Sequence, residues 1–355
     1  MSVQDTIDEL VAEGVETGVQ VAVYEHGELV VDAVAGLADP ATGRAMTPDT
    51  PIFSTSTGKG MTATVLHILV QRGVFGYDTP VTELWPEFGA HGKQAATVRH
   101  VLTHAVGVPG LPADTTPEDL ADWARMCEVL ADAEPWWEPG TRTGYHAITF
   151  GYLAGELVRR GTGKPIDQVL LEEVAAPLGL SQELYFAVPP AEQARLARLV
   201  PGGPPMDEAT IRQLTEAMPL LFKAAPPALQ PSAELYNRTD FLSANVPAGG
   251  TVTARGIARM YAAPLGEVDG VRLLTPETLD LVSAVAIEGT DQVFGNPARL
   301  ALGYAVIGGA LGWSGANGSH AEFDPATGRT FAVTKNRFGA GDFNTVERVR
   351  AALAG

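Results

Sequence analysis

The chain has 355 residues, of which 45% are hydrophobic and 19% charged, and a formal net charge of −18. That length can bury a sizeable core as one large domain or two intimately packed lobes, and the composition is not that of a disordered chain. The acidic balance repels polyanions, so neither nucleic acid nor an anionic membrane surface is an expected partner.

Cys127 is the only cysteine, which rules out an internal disulfide. The residues after Met1 lack the basic and apolar regions of a secretory signal, and no apolar run is long enough to span a bilayer. A cytoplasmic protein is the expectation.

In chain order, a helix is expected over Thr6–Glu13, capped by Asp5 or Thr6. The stretches Gly18–Tyr24 and Leu29–Val34 flank a short turn containing Gly27 and read as a β-hairpin. Pro51–Ser54 is an extended entry to a helix carrying Met61, Val65, Leu66, Leu69 and Val70. From about residue 76 to 240 the chain reads as helical and loop-rich, with helices over Val98–His104, Pro117–Ala131, Ile148–Arg160 and Pro165–Val174. Pro201–Pro231 has weak periodicity and reads as a long excursion. Helices over Ala254–Ala262 and Pro276–Val285 follow, then strands over Leu302–Ile307 and Thr330–Thr334. A last helix, capped by Asn344 or Thr345, runs to Leu353. Strands at both ends with helices between them predict an α/β (α+β) fold: an antiparallel sheet built from the two termini and flanked by helices. The expected division is a sheet lobe of residues 1–75 and 241–355, with an inserted helical lobe of 76–240.

Chemistry concentrates at Ser56-Thr57-Gly58-Lys59. A serine three residues before a lysine at a helix start points both side chains from one face. The pair supplies a hydroxyl nucleophile and an amine able to take its proton. The chain has five lysines, and no other lysine follows a serine at that spacing. Downstream, the Pro139-Gly140 turn leads to Tyr145, a phenol that can share a proton with Lys59. Later still, Gly312-Trp313-Ser314-Gly315-Ala316-Asn317-Gly318 is a small-residue edge, which lets a substrate approach the backbone and leaves an N–H for an oxyanion.

These motifs, in this order and at these separations, resemble the serine β-lactamase and penicillin-binding-protein superfamily, closest to its class C branch with the family VIII esterases. His100–Pro109 is similar to the family's Leu-Thr-His-Xaa-Xaa-Gly segment, and Gly249–Arg259 to its late helix entry. The resemblance implies Ser56 as the acylated nucleophile, Lys59 as its neighbour and Tyr145 as the third catalytic group. It also implies an oxyanion hole from the N–H groups of Ser56 and Ala316. Lysine and phenol both titrate near 10, so one of them must be perturbed to act as a base at neutral pH.

Two departures from β-lactamases bear on the substrate. Ala147 stands where the family usually has asparagine, and Trp313-Ser314-Gly315 stands where it has Lys-Thr-Gly. Losing the amide and the cation removes the contacts most specific to penicillin-like substrates and favours neutral acyl esters. Trp313, Ser314, Gly315, Trp137 and His146 complete the candidate substrate contacts, although Trp137 and His146 read first as packing neighbours. In isolation Ser56 would read as a helix cap and Tyr145 as a packing aromatic.

Competing motifs fail. His100 and His104 have helical spacing, but Val101 stands where a metallohydrolase needs glutamate, so no metal or other cofactor is expected. Gly58-Lys59 lacks the glycine and hydroxyl of a phosphate loop. Ser314 lies in a near miss to a nucleophile elbow, whose histidine should come much later than His320. The expected function is a serine hydrolase acting on small-molecule carboxylic esters through an acyl-enzyme. An acyltransferase using the same site and an acyl acceptor is the alternative. A β-lactamase, a D-Ala peptidase or a non-catalytic scaffold are weaker readings.

Overall fold

The computed structural model describes residues 1–203 and 208–355. The first helix, α1, spans Val3–Ala12 and starts earlier than expected. Its cap is Ser2, whose hydroxyl accepts from Asp5 N–H while the Asp5 carboxylate accepts from Ser2 N–H. Asp5 is thus the reciprocal partner in a capping box, not the cap. The hairpin follows as strands β1 (Gly18–Glu25) and β2 (Glu28–Asp39). Its turn holds His26 at φ 50° and Gly27 at φ 88°, the left-handed pair that matches the strand twist of a tight hairpin.

A nine-stranded sheet forms from β1, β2 and the short β3 (Arg44–Ala45), with six strands from the C-terminal third. These are β4 (Ile287–Thr290), β5 (Pro297–Leu300), β6 (Ala305–Ile307), β7 (Ala310–Ser314), β8 (His320–Asp324) and β9 (Arg329–Lys335). Their order is β3-β2-β1-β9-β8-β7-β6-β5-β4, antiparallel throughout. The two chain ends meet where β1 pairs with β9, with Val21 opposite Val333. Sequence reading missed β3, β4, β5 and β8, and gave β7 only as the family's late strand at Trp313-Ser314-Gly315. Each is five residues or fewer, too short to show an alternating pattern of its own. The strand expected over Leu302–Ile307 begins only at Ala305, because Gly303 turns at φ 80° against Ala63 and Leu102.

One face of the sheet is covered by α1 and the C-terminal helix, through Ile7, Leu10, Val346 and Val349 packed on Val19, Val21 and Val333. The C-terminal helix spans Asn344–Ala354, and its cap position is Phe343, one residue before the expected capping residues. The other face carries the main core and a helix over Lys59–Gln71, here α2, buried from Lys59 to Leu69. Such burial on all sides marks a central helix rather than an amphipathic surface one. Packed on α2 is α3 (Thr149–Thr162), ended by Gly163 in the left-handed conformation.

Within Pro201–Pro231, expected to be irregular, the chain forms a helix over Glu208–Ala217, a short one over Leu221–Ala224 and a 3-10 turn over Pro227–Leu229. Residues 204–207 of that stretch lie outside the described residues. The helix expected over Val98–His104 ends at Leu102, and His104 follows at φ 54°. His100 and His104 therefore do not share a helix face. No helix among the described residues is long and apolar enough to cross a membrane.

Candidate active site

Ser56 sits in a 3-10 turn, Thr55–Gly58, that feeds directly into α2. Tertiary contacts hold the turn. Ile52–Phe53 pairs with Thr251–Val252, and Ser54 N–H donates to Gly250 O at 2.8 Å. Thr55 adopts φ 48°, uncommon for a β-branched residue, and its hydroxyl donates to Asn317 Oδ1 at 3.2 Å. Gly58 lets the turn pack directly on the Gly249–Gly250 backbone: a Cβ there would lie 2.2 Å from the Gly249 carbonyl carbon.

Lys59, the first residue of α2, is fully buried. Its Nζ lies 2.7 Å from Ala147 O, 2.9 Å from Ala248 O and 3.2 Å from Ser56 Oγ. Tyr145 Oη–H donates to Ser56 Oγ at 2.7 Å. The Tyr145 backbone N–H donates to Asp291 Oδ2 at 2.9 Å, and its ring lies beside His104, Phe294 and Trp313. The structure thus gathers Ser56, Lys59 and Tyr145 around one hydroxyl oxygen.

Burial without a countercharge lowers the Lys59 pKa to about 7. Burial also pushes the Tyr145 phenol well above its ordinary value, outweighing its hydrogen bond to Ser56 and helped by the Asp291 charge. At neutral pH the amine is therefore available as a proton acceptor and the phenol keeps its proton. Neutral Lys59 can donate both N–H bonds to Ala147 and Ala248 and turn its lone pair toward the Ser56 hydroxyl.

Ser56 opens onto two chambers, both bordered by Tyr145, Phe294 and Ala316. One, of about 370 Å³, is walled by side chains such as Phe53, Leu120, Ile148, Leu229 and Phe241. The other, of about 500 Å³, runs along the sheet edge past Trp313, Ser314 and Gly315 and includes Asp291, Asn296 and Arg299. Among the described residues, no acceptor takes the N–H of Ser56 or of Ala316. Gly315 is required by crowding, since a Cβ there would lie 2.4 Å from both Ser54 O and Thr55 Oγ1.

The remaining candidate contacts separate. Trp313 lines the larger chamber, but its N–H is spent on Gly303 O at 2.7 Å, so it offers an apolar wall only. Trp137 and His146 line neither chamber. Trp137 donates to Ala105 O, while His146 bridges Val108 N–H and Gly144 O inside the core. Sequence reading missed Asp291 and Phe294, which occupy a short loop with no motif; it expected the stretch from about Ser181 to Asn245 to shape the pocket, and Leu221, Ala225 and Leu229 of that stretch line the smaller chamber.

The Beta-lactamase family model matches residues 3–355. The chain is 39% identical to the esterase/beta-lactamase LipL of Mycobacterium tuberculosis, over 90% of this chain and 77% of that protein. A crystal structure of a family VIII carboxylesterase superposes with a TM-score of 0.88 at 31% identity, covering 99% of this chain and 96% of that one. A penicillin-binding-protein homologue from Caulobacter crescentus superposes with a TM-score of 0.86 at 33% identity over the same shares. A buried lysine and a tyrosine on one serine hydroxyl, in a chain matched almost from end to end, lead to one conclusion: this protein belongs to the beta-lactamase family.

Proposed function

We propose that this enzyme is a carboxylesterase that acylates Ser56, with Lys59 as general base and Tyr145 as general acid. The observation that carries the reading is the placement of Ser56 Oγ between the Lys59 amine, 3.2 Å away with a pKa lowered to about 7 by burial, and the Tyr145 phenol, which donates to it at 2.7 Å and stays protonated. In acylation, Ser56 Oγ attacks the ester carbonyl and its proton passes to Lys59. The oxyanion takes the N–H groups of Ser56 and Ala316, each such donor being worth about 10²–10³ in rate. Collapse of the tetrahedral intermediate breaks the ester C–O bond, and the leaving alkoxide takes the Tyr145 proton. In deacylation, a water gives a proton to the Tyr145 phenolate and attacks the acyl carbonyl. Ser56 then leaves with the proton held by Lys59, which restores both groups.

Esters fit better than penicillin-like substrates because no cation stands at position 313. The lysine of the late sheet, Lys335, is buried against Glu16 and is committed there. The family VIII carboxylesterase is named as an esterase and LipL as both an esterase and a beta-lactamase, so both names support ester substrates. The test is intact-mass analysis after a serine-directed fluorophosphonate, with p-nitrophenyl acetate turnover, for wild type and Ser56→Ala. One adduct on Ser56 and loss of turnover in the variant are expected. Labelling elsewhere with undiminished turnover in Ser56→Ala would sink the proposal.

A further inference from the structure

Ser314 ends β7 in the wall of the larger chamber, and its hydroxyl is not an ordinary surface one. Ser314 Oγ lies 2.9 Å from Nδ1 of His320, its cross-strand partner on β8. His320 Nε2 lies 2.9 Å from Glu322 Oε2, and Arg350 Nη2 donates to the same carboxylate oxygen at 2.6 Å. His320 and Glu322 are buried, at 3% and 6% exposure. Arg350 Nη2 is also 2.9 Å from His320 Nε2 and would satisfy that nitrogen in the other tautomer. The carboxylate decides between the two neutral tautomers: it can only accept, so Nε2 carries the proton, and in the neutral imidazole Nδ1 is the acceptor for Ser314. The Ser314 proton is then committed to His320, and its oxygen presents lone pairs to the chamber. A side chain held in this way binds a hydrogen-bond donor.

The two chambers differ in what they can bind. The smaller one is nearly all apolar and suits an acyl chain. The larger one carries Ser314, Asn296 and Arg299 and suits the alcohol side of the ester. We propose that the Ser314–His320–Glu322–Arg350 chain is a recognition site for the alcohol portion, selecting esters whose alcohol carries further hydroxyl groups. The same contact holds a polyhydric alcohol when it returns as an acyl acceptor, because the leaving alcohol and the acceptor occupy one place. This inference rests on the esterase reading of Ser56.

The experiment compares kcat/KM for glycerol 1-monobutyrate and propyl butyrate, which share the acyl group and the carbon count of the alcohol. It is run on wild type, Ser314→Ala and Ser314→Thr, with p-nitrophenyl butyrate turnover by wild type reading the Ser56 chemistry separately. The expected result is a preference for the glyceryl ester that falls about tenfold in Ser314→Ala, the worth of one well-placed hydrogen bond. It should be kept in Ser314→Thr, which retains the hydroxyl. An unchanged preference in Ser314→Ala, with p-nitrophenyl butyrate still hydrolysed by wild type, overturns the recognition site alone. No turnover of any ester by folded wild type overturns the esterase reading and this inference with it.

Discussion

Lys59 Nζ stands 3.2 Å from Ser56 Oγ, and among the described residues no carboxylate pairs with it. Its three polar neighbours are two carbonyls and a hydroxyl, none of them charged, so burial acts unopposed and the amine titrates near 7. The form that takes the Ser56 proton is the neutral amine, which predominates above that pKa. The pH profile of kcat/KM on a p-nitrophenyl ester should therefore rise about tenfold per unit below pH 7 and flatten above it. A midpoint between 4 and 5 would point to a carboxylate base and reject Lys59.

Tyr145→Phe removes one oxygen and keeps the ring contacts with His104, Phe294 and Trp313. Loss of a general acid is worth about 10²–10⁴ in rate, so kcat should fall by that factor while KM changes little. Steady-state kinetics on an ester with a poor leaving group checks this, since alkoxide departure there depends most on the proton. Retention of kcat within about threefold would remove Tyr145 from the chemistry.

Asp291 holds the tyrosine from behind. Its Oδ2 accepts from Tyr145 N–H, and its Oδ1 accepts from the N–H groups of Val293 and Phe294. Asp291→Ala leaves three backbone donors without that partner and frees the loop that carries Phe294 between the chambers. The expectation is a loss of about 1–3 kcal/mol in urea unfolding and about a tenfold fall in kcat. Asp291→Asn, which keeps one acceptor oxygen, should recover part of both. Equal kinetics in the alanine variant would show that Tyr145 is positioned without it.

Glu16 and Lys335 form a buried pair, 2.5 Å apart, that ties the segment after α1 to β9. The Thr345 hydroxyl donates to the same Glu16 oxygen, which joins the C-terminal helix to the pair. Glu16→Ala strands a buried ammonium and should cost about 3–5 kcal/mol. Glu16→Gln should cost less, because the amide oxygen still accepts. Chemical denaturation monitored by tryptophan fluorescence measures both, and a change below about 1 kcal/mol would mean that the site rehydrates freely.

Local relationships were legible in the sequence. The spacing of Ser56 and Lys59 is a helical one, so the chain itself places the two on one face. The hairpin showed in its two apolar runs and the turn containing Gly27, and the termini-built sheet in the placement of apolar stretches. Tyr145 stood out as a candidate after the Pro139-Gly140 turn, but only the resemblance singled it out as the third catalytic group, because nothing in its own neighbourhood ties it to a serine 89 residues away.

What the tertiary structure alone decided is the environment of those groups. The pKa of Lys59 depends on burial and on two carbonyls, Ala147 and Ala248, that any residue type could supply. Asp291 acts through backbone N–H groups, and strands β4 and β5, four residues each, are too short for a periodic signal. His320, unremarkable six residues after Ser314, becomes its partner only because β7 and β8 pair in that register. Residue type and short-range spacing carry the chemistry that side chains bring. Desolvation, backbone hydrogen bonds and strand register arise from parts of the chain distant in sequence, so they exist only once it has folded.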